Sequence, residues 1–297
     1  MIRSPWLSEA AGATVWLKLE SVQQTGSFKI RGAANAILRL RDARPDVQSV
    51  VTASAGNHGL ALATAASLLG MKARIHLPKT APAAKRDAIE RLGAELRLAD
   101  TYDDAEREAY ADAERSGTVF VSPYDDPDVI AGAATATLEM FEDAPDLDTL
   151  IVPLGGGGLL AGAAIVARDR AVRVTVVGAE AAASPVFTAA LAAGAPTIVE
   201  VGDTLADGLA GNMAPDSMTF PLVRDLVDRV ERVGERSIAR AMRELILRDR
   251  LVVEGAAATA VGAILDAGRA LEGRHVGVIL SGRNIDAVTI ERLFDRG

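Results

Sequence analysis

The chain has 297 residues, 49% of them hydrophobic, and 32 Lys and Arg against 40 Asp and Glu give a formal charge of −8. That is enough for one large or two modest cores, and an acidic balance with no dense basic patch disfavours nucleic acid and anionic membrane as partners. The lack of cysteine excludes disulfides, thiol catalysis and thiolate metal sites, and with no targeting signal or membrane-length apolar run legible, a soluble cytoplasmic protein is expected.

In chain order, short apolar runs of β type alternate with amphipathic stretches. Strands are expected at 15–19, 47–53, 72–77, 94–99 and 117–121, with helices near 29–40, 57–69, 81–92 and 103–115. Gly70 and Gly93 fall where C-terminal caps belong. The same rhythm continues with helix 128–141, strand 148–154, helix 158–169, strand 172–179, helices 235–249 and 256–269, and strand 275–281. Such alternation predicts an α/β fold built on mostly parallel strands. Two prolines and three aspartates in SPYDDPD, 122–128, interrupt the pattern and mark the best crossover. The expected division is therefore a small α/β domain at 48–127 set within a larger one formed by 1–47 and 128–297. Ligands of these folds bind beyond the carboxyl ends of the strands.

Three strand ends carry polar or glycine-rich turns. In IVPLGGGGLLAG, a strand runs into Gly155, Gly156, Gly157 and Gly158 and then a helix. Four residues without Cβ let backbone amides converge on one anion, and the helix start adds positive potential, so a phosphate-bearing ligand is expected. The spacing is neither GxGxxG nor GxxxxGK[ST], which argues against dinucleotides and nucleoside triphosphates. In TASAGNHG, Asn57 reads as a ligand group or a helix cap, and His58 as an acid, a base or a packed imidazole. In ILSGRNID, Ser281 and Asn284 follow a hydrophobic strand. Lys29 in SFKIRGA stands between Phe28 and Ile30 at an expected helix start. A lysine partly removed from water becomes an amine nucleophile toward a carbonyl. Joined to a phosphate cradle, it suggests an aldehyde cofactor that carries phosphate.

SFKIRGA, SAGNHG, GGGGL and SGRN stand in the order found in the threonine and serine dehydratase family of pyridoxal-phosphate enzymes, and the chain resembles that family from about residue 3 onward. The resemblance implies the two-lobed type II fold shared with tryptophan synthase β subunits. It implies that Lys29 attaches covalently to pyridoxal 5'-phosphate, Phe28 packs on the cofactor ring and Asn57 bonds its 3-oxygen. Gly155 to Gly158 would hold the phosphate, and Ser281 would face the pyridine nitrogen. A neutral hydroxyl there gives little support to a pyridinium, which suits prompt loss of a β-substituent. Ser54, Ala55, Gly56, Asn57 and His58 would receive the substrate carboxylate, and Lys29 would move the Cα proton. The implied reaction is β-elimination of a hydroxy amino acid such as L-threonine or L-serine, giving a 2-oxo acid and ammonia.

Departures from the family pattern refine this expectation. Ala55 stands where related serine racemases have a second serine, which favours elimination over racemisation. Glu180 matches the start of a cation motif, yet Val186 occupies its aspartate position, so no required metal is expected. Glu180 and Glu254 are read as supporting groups, with solvation of the first and helix capping by the second as plainer alternatives. DRLVVEGAAA and SGRNID resemble dehydratase-like proteins of hydroxyectoine utilisation, which leaves a hydroxyectoine-derived amino acid as another substrate. A β-replacement enzyme and a non-enzymatic amino-acid-binding protein remain as other readings. No C-terminal regulatory domain is expected, and a homodimer is.

Overall fold

The computed structural model describes residues 1–295. In chain order its elements are β1 (Ile2–Arg3), α1 (Pro5–Ala11), β2 (Thr14–Leu19), α2 (Lys29–Ala43), β3 (Ser49–Ala53), α3 (Asn57–Leu68), β4 (Lys72–Pro78), α4 (Ala83–Glu90), β5 (Glu95–Ala99), α5 (Tyr102–Ser116) and β6 (Val119–Phe120). They continue with α6 (Pro127–Asp143), β7 (Thr149–Leu154), α7 (Gly158–Arg168), β8 (Thr175–Ala181), α8 (Val186–Ala193), α9 (Thr219–Leu226), β9 (Arg229–Val233), α10 (Glu235–Glu244), α11 (Gly255–Ala267), β10 (His275–Leu280) and α12 (Ala287–Phe294).

The chain divides into two compact units, Phe28–Ala133 and the remainder. The smaller unit holds a sheet ordered β5-β4-β3-β6, parallel throughout, with Thr52 opposite Ile75 and Val51 opposite Phe120. Side chains alternate across such strands. Val50, Ile75 and Leu77 pack with Ala33, Ala36 and Ile37 of α2, Leu62 and Ala66 of α3 and Ile89 of α4. Val51, Ala53 and Ala99 pack with Ala105 and Ala109 of α5. The expected first boundary, after residue 47, is corrected to the bond between Ser27 and Phe28. The cause is the inward face of α2: Ala33, Ala36 and Ile37 lie in the core of β3 and α3. The second boundary likewise moves from 127/128 to 133/134, because Val129 at the start of α6 belongs to that same core. Truncating Ile37 to Ala would cost about 2–5 kcal/mol, the usual result of emptying a fully buried aliphatic site.

The larger unit is built on a sheet ordered β1-β2-β10-β7-β8-β9, antiparallel only between β1 and β2. Ile151, Val177, Ala179, Val276 and Val278 pack on one face with Leu7 of α1, Ile238 and Met242 of α10, and the alanine-rich α11. On the other face close approach is allowed by glycine. A Cβ on Gly178 would lie 2.7 Å from Leu160 of α7, and one on Gly277 would lie 2.6 Å from Met140 of α6. The central strand TLIVPL is therefore buried along its whole length, as parallel strands covered on both faces must be.

Candidate active site

In the smaller unit, Lys29 opens α2 and is half-buried. Its Nζ donates to the carbonyl of Pro123 at 2.6 Å and lies 5.0 Å from the Phe28 ring centroid. Pro123 was not singled out in the sequence, because a backbone acceptor leaves no residue-type signal. Its loop is held by local bonds: Ser122 Oγ accepts from the amide of Asp125 at 3.0 Å, and Asp126 Oδ1 accepts from those of Asp128 and Val129 at 2.8 and 3.0 Å. Those last two bonds cap α6.

The SAGNHG turn leaves the carboxyl end of β3. Gly56 takes the N-cap position of α3, and its amide bonds Ser54 Oγ at 3.2 Å. Asn57 is thus the first helical residue of α3 rather than its N-cap. Gly59 is fixed by contact, since a Cβ there would lie 2.2 Å from the Ser54 carbonyl oxygen. Ser54, Ala55, Gly56 and Asn57 are partly accessible.

His58 differs from its neighbours. Expected at the substrate, it is only 2% exposed and turns inward, where Nε2 donates to the Val121 carbonyl at 3.1 Å. Burial first, and the nearby Lys29 ammonium second, lower its pKa to about 3. A ring so hard to protonate is no general acid at neutral pH. Tyr102, also unsignalled in the sequence, donates to the Ala53 carbonyl at 3.3 Å just before the turn, and burial raises its pKa.

In the larger unit, the four glycines join β7 to α7. Gly157 has φ +90°, and a Cβ on it would meet Phe187 Cζ at 2.7 Å and Thr219 Oγ1 at 2.8 Å. A Cβ on Gly155 would lie 2.9 Å from the Cα of Leu209. Thr219 Oγ1 donates to the Gly156 carbonyl at 2.8 Å and lies 2.9 Å from Ser217 Oγ. Thr219 and Ser217 lie far along the chain from the glycines and carried no motif. The loop is thus a packed cradle at the start of an eleven-residue helix, whose first amides lack intrahelical partners and suit a phosphate group.

Two buried carboxylates brace this unit. Glu180, near the end of β8, is 1% exposed, so the solvated reading is corrected. It accepts from the amides of Phe187 and Thr188 at 2.6 and 3.1 Å and from Thr188 Oγ1 at 2.7 Å. It therefore caps α8, and α8 presents Phe187 to Gly157. Desolvation raises its pKa against the lowering effect of these bonds. Val186, in place of a cation-binding carboxylate, is buried at the head of α8. Glu254 holds the N-cap position of α11, yet its carboxylate makes no cap bond. It packs instead on Gly282, where a Cβ would lie 2.4 Å from Oε1. Ser281, 4% exposed, directly follows β10. Gly282 pairs with Ser27, whose buried hydroxyl has no protein partner. An orphaned donor, a neutral serine at a strand end and a glycine cradle at a helix start fit a ring-and-phosphate cofactor.

Residues 1–282 match the family model described as pyridoxal-phosphate dependent enzyme. The chain is 40% identical to L-threonine ammonia-lyase of Thermotoga maritima, over 98% of this chain and 72% of that one. It is similar to the processed form of threonine deaminase isoform 2 from Solanum lycopersicum, with TM-score 0.92 and 30% identity over 99% of this chain and 81% of that one. Maize serine racemase is also similar, with TM-score 0.91 and 33% identity over 98% and 89%. The chain belongs to the family of pyridoxal-phosphate dependent enzymes, and its architecture is the type II fold of that family.

Proposed function

We propose that this pyridoxal-phosphate enzyme is an ammonia-lyase. It removes the β-hydroxyl and the amino group of a hydroxy amino acid such as L-threonine or L-serine, leaving a 2-oxo acid and ammonia. The observation that carries the reading is Lys29, an amine hydrogen-bonded to Pro123 beside an imidazole that burial keeps neutral, in a chain 40% identical to an L-threonine ammonia-lyase.

Bound pyridoxal phosphate supplies the electron sink for the pair left when the substrate loses its Cα proton. Lys29 Nζ would hold the cofactor covalently, and its amine would be the base that accepts that proton. Phe28 would pack against the cofactor ring, and Asn57 would orient it through a hydrogen bond. Gly155, Gly156, Gly157 and Gly158 would hold the phosphate through backbone amides. Ser281 would present a neutral hydroxyl to the ring nitrogen, and Glu254 fixes the Gly282 backbone beside that serine. Ser54, Ala55, Gly56 and Asn57 receive the substrate carboxylate. His58 belongs to that set through its backbone alone, because its ring is buried. The Ala55 side chain offers no proton donor or acceptor, which supports elimination over racemisation. The reading includes a cytoplasmic homodimer and requires no metal.

The decisive assay measures 2-oxo acid and ammonia from threonine, serine, 3-hydroxyaspartate and hydroxyectoine-derived amino acids. Release from threonine or serine is expected. Turnover of the hydroxyectoine-derived group alone would replace the substrate, and a protein that takes up no cofactor would end the reading.

A further inference from the structure

We propose that His58 is a positioning residue for Lys29: its ring Nε2 holds the strand end that carries the carbonyl on which the lysine amine rests. The inference depends on reading Lys29 as the amine that attaches the cofactor.

Three bonds make the connection, all within the smaller unit. His58 Nε2 lies 3.1 Å from the Val121 carbonyl. Val121 donates its own amide to Val51 of β3 at 2.9 Å, which ties this segment to the sheet. Two residues further on, Pro123 accepts the Lys29 ammonium at 2.6 Å. A carbonyl only accepts, so the proton on the His58 ring sits at Nε2. Nδ1 is buried without a partner, and a second proton there would place an unpaired charge in the interior near an ammonium. The ring therefore remains a neutral donor at neutral pH, with its pKa lowered to about 3. His58 is itself locked by the sharp entry into α3, where Gly59 allows contact with the Ser54 carbonyl. The imidazole thus couples the substrate turn to the loop that aims the lysine. Within the turn, Ser54 to Asn57 are partly accessible while His58 points inward.

The test uses the full chain with pyridoxal phosphate and compares His58→Gln, which keeps a donor of similar reach, with His58→Leu, which has none. The measured quantity is the rate at which the visible absorbance of lysine-bound cofactor appears. His58→Leu should slow attachment about tenfold, the size of one lost hydrogen bond, and His58→Gln should stay within about threefold of wild type by restoring part of that bond. Equal slowing in both variants, or none in either, would overturn the proposal. Should His58→Leu not fold, nitrogen NMR of the wild-type ring decides. The expected spectrum shows a neutral ring protonated at Nε2 whose signals move when the cofactor attaches and the lysine charge changes. A ring protonated at Nδ1, or signals indifferent to attachment, would refute the positioning role. Failure of the functional reading looks different, because the wild-type protein itself would then stay colourless.

Discussion

His58 and Glu180 are both buried titratable side chains close to a residue expected at the cofactor, one in each unit, and burial moves them in opposite directions. In the lysine unit, polar order runs through backbone carbonyls, Val121 and Pro123, a neutral imidazole and the Asp126 carboxylate that caps α6. In the glycine unit it runs through carboxylates: Glu180 caps the helix that carries Phe187, and Glu254 packs on Gly282. On the proposed reading the lysine unit aims an amine and the glycine unit holds a phosphate, whose cradle needs rigid backbone that buried carboxylates can pin from behind.

The sharpest way to separate the units is Lys29→Ala. Removing the amine should abolish covalent attachment, leave no label after borohydride treatment and lower turnover about 10²–10⁴-fold, with an unchanged circular dichroism spectrum. Gly157→Ala attacks the other unit through sterics. A positive φ and a 2.7 Å clash with Phe187 together predict a loss of about 2–5 kcal/mol in urea unfolding and weaker cofactor retention.

The pH dependence of stability tests the comparison itself. A histidine with a lowered pKa binds its proton more readily when unfolded, so the His58 contribution falls as pH drops from about 6.5 toward 3. Its slope is at most about 1.4 kcal/mol per pH unit, and His58→Gln should flatten it. A glutamate with a raised pKa ionises more readily when unfolded, so the Glu180 contribution has the opposite sign. It falls as pH rises from the ordinary carboxylate value through the raised one, and Glu180→Gln should remove that dependence. Unfolding midpoints measured from pH 4 to 7 for both variants would contradict the contrast if the two slopes shared a sign. The smallest effect belongs to Tyr102→Phe, which deletes one bond to the Ala53 carbonyl. About 0.5–1.5 kcal/mol is expected, with cofactor uptake close to wild type.

Much of the architecture was legible because its signals are local. The runs at 15–19, 72–77 and 148–154 became β2, β4 and β7 within a residue of their expected ends, since a strand buried on one or both faces writes its burial into its own residues. β9 was missed because Arg229–Val233 lies at the sheet edge, where charged residues are tolerated and protective. The short helices α1, α8, α9 and α12 were missed as well; helices of seven or eight residues owe their stability to packing rather than to intrinsic propensity. The π-helical turn Leu245–Asp249 ends the regular α10 helix earlier than the periodicity implied.

By itself the sequence determined the motifs and their order: a lysine at a helix start, a glycine run after a strand, and polar strand ends at Asn57 and Ser281. These depend on residue type and short spacing, which a linear chain displays. The tertiary structure alone decided that α2 joins the small unit, that His58 faces inward rather than toward substrate, that Glu180 caps α8 and that Pro123 receives the lysine. Each is a contact between residues distant in sequence, often with a backbone atom as one partner, and neither distance nor a carbonyl leaves a mark in residue type.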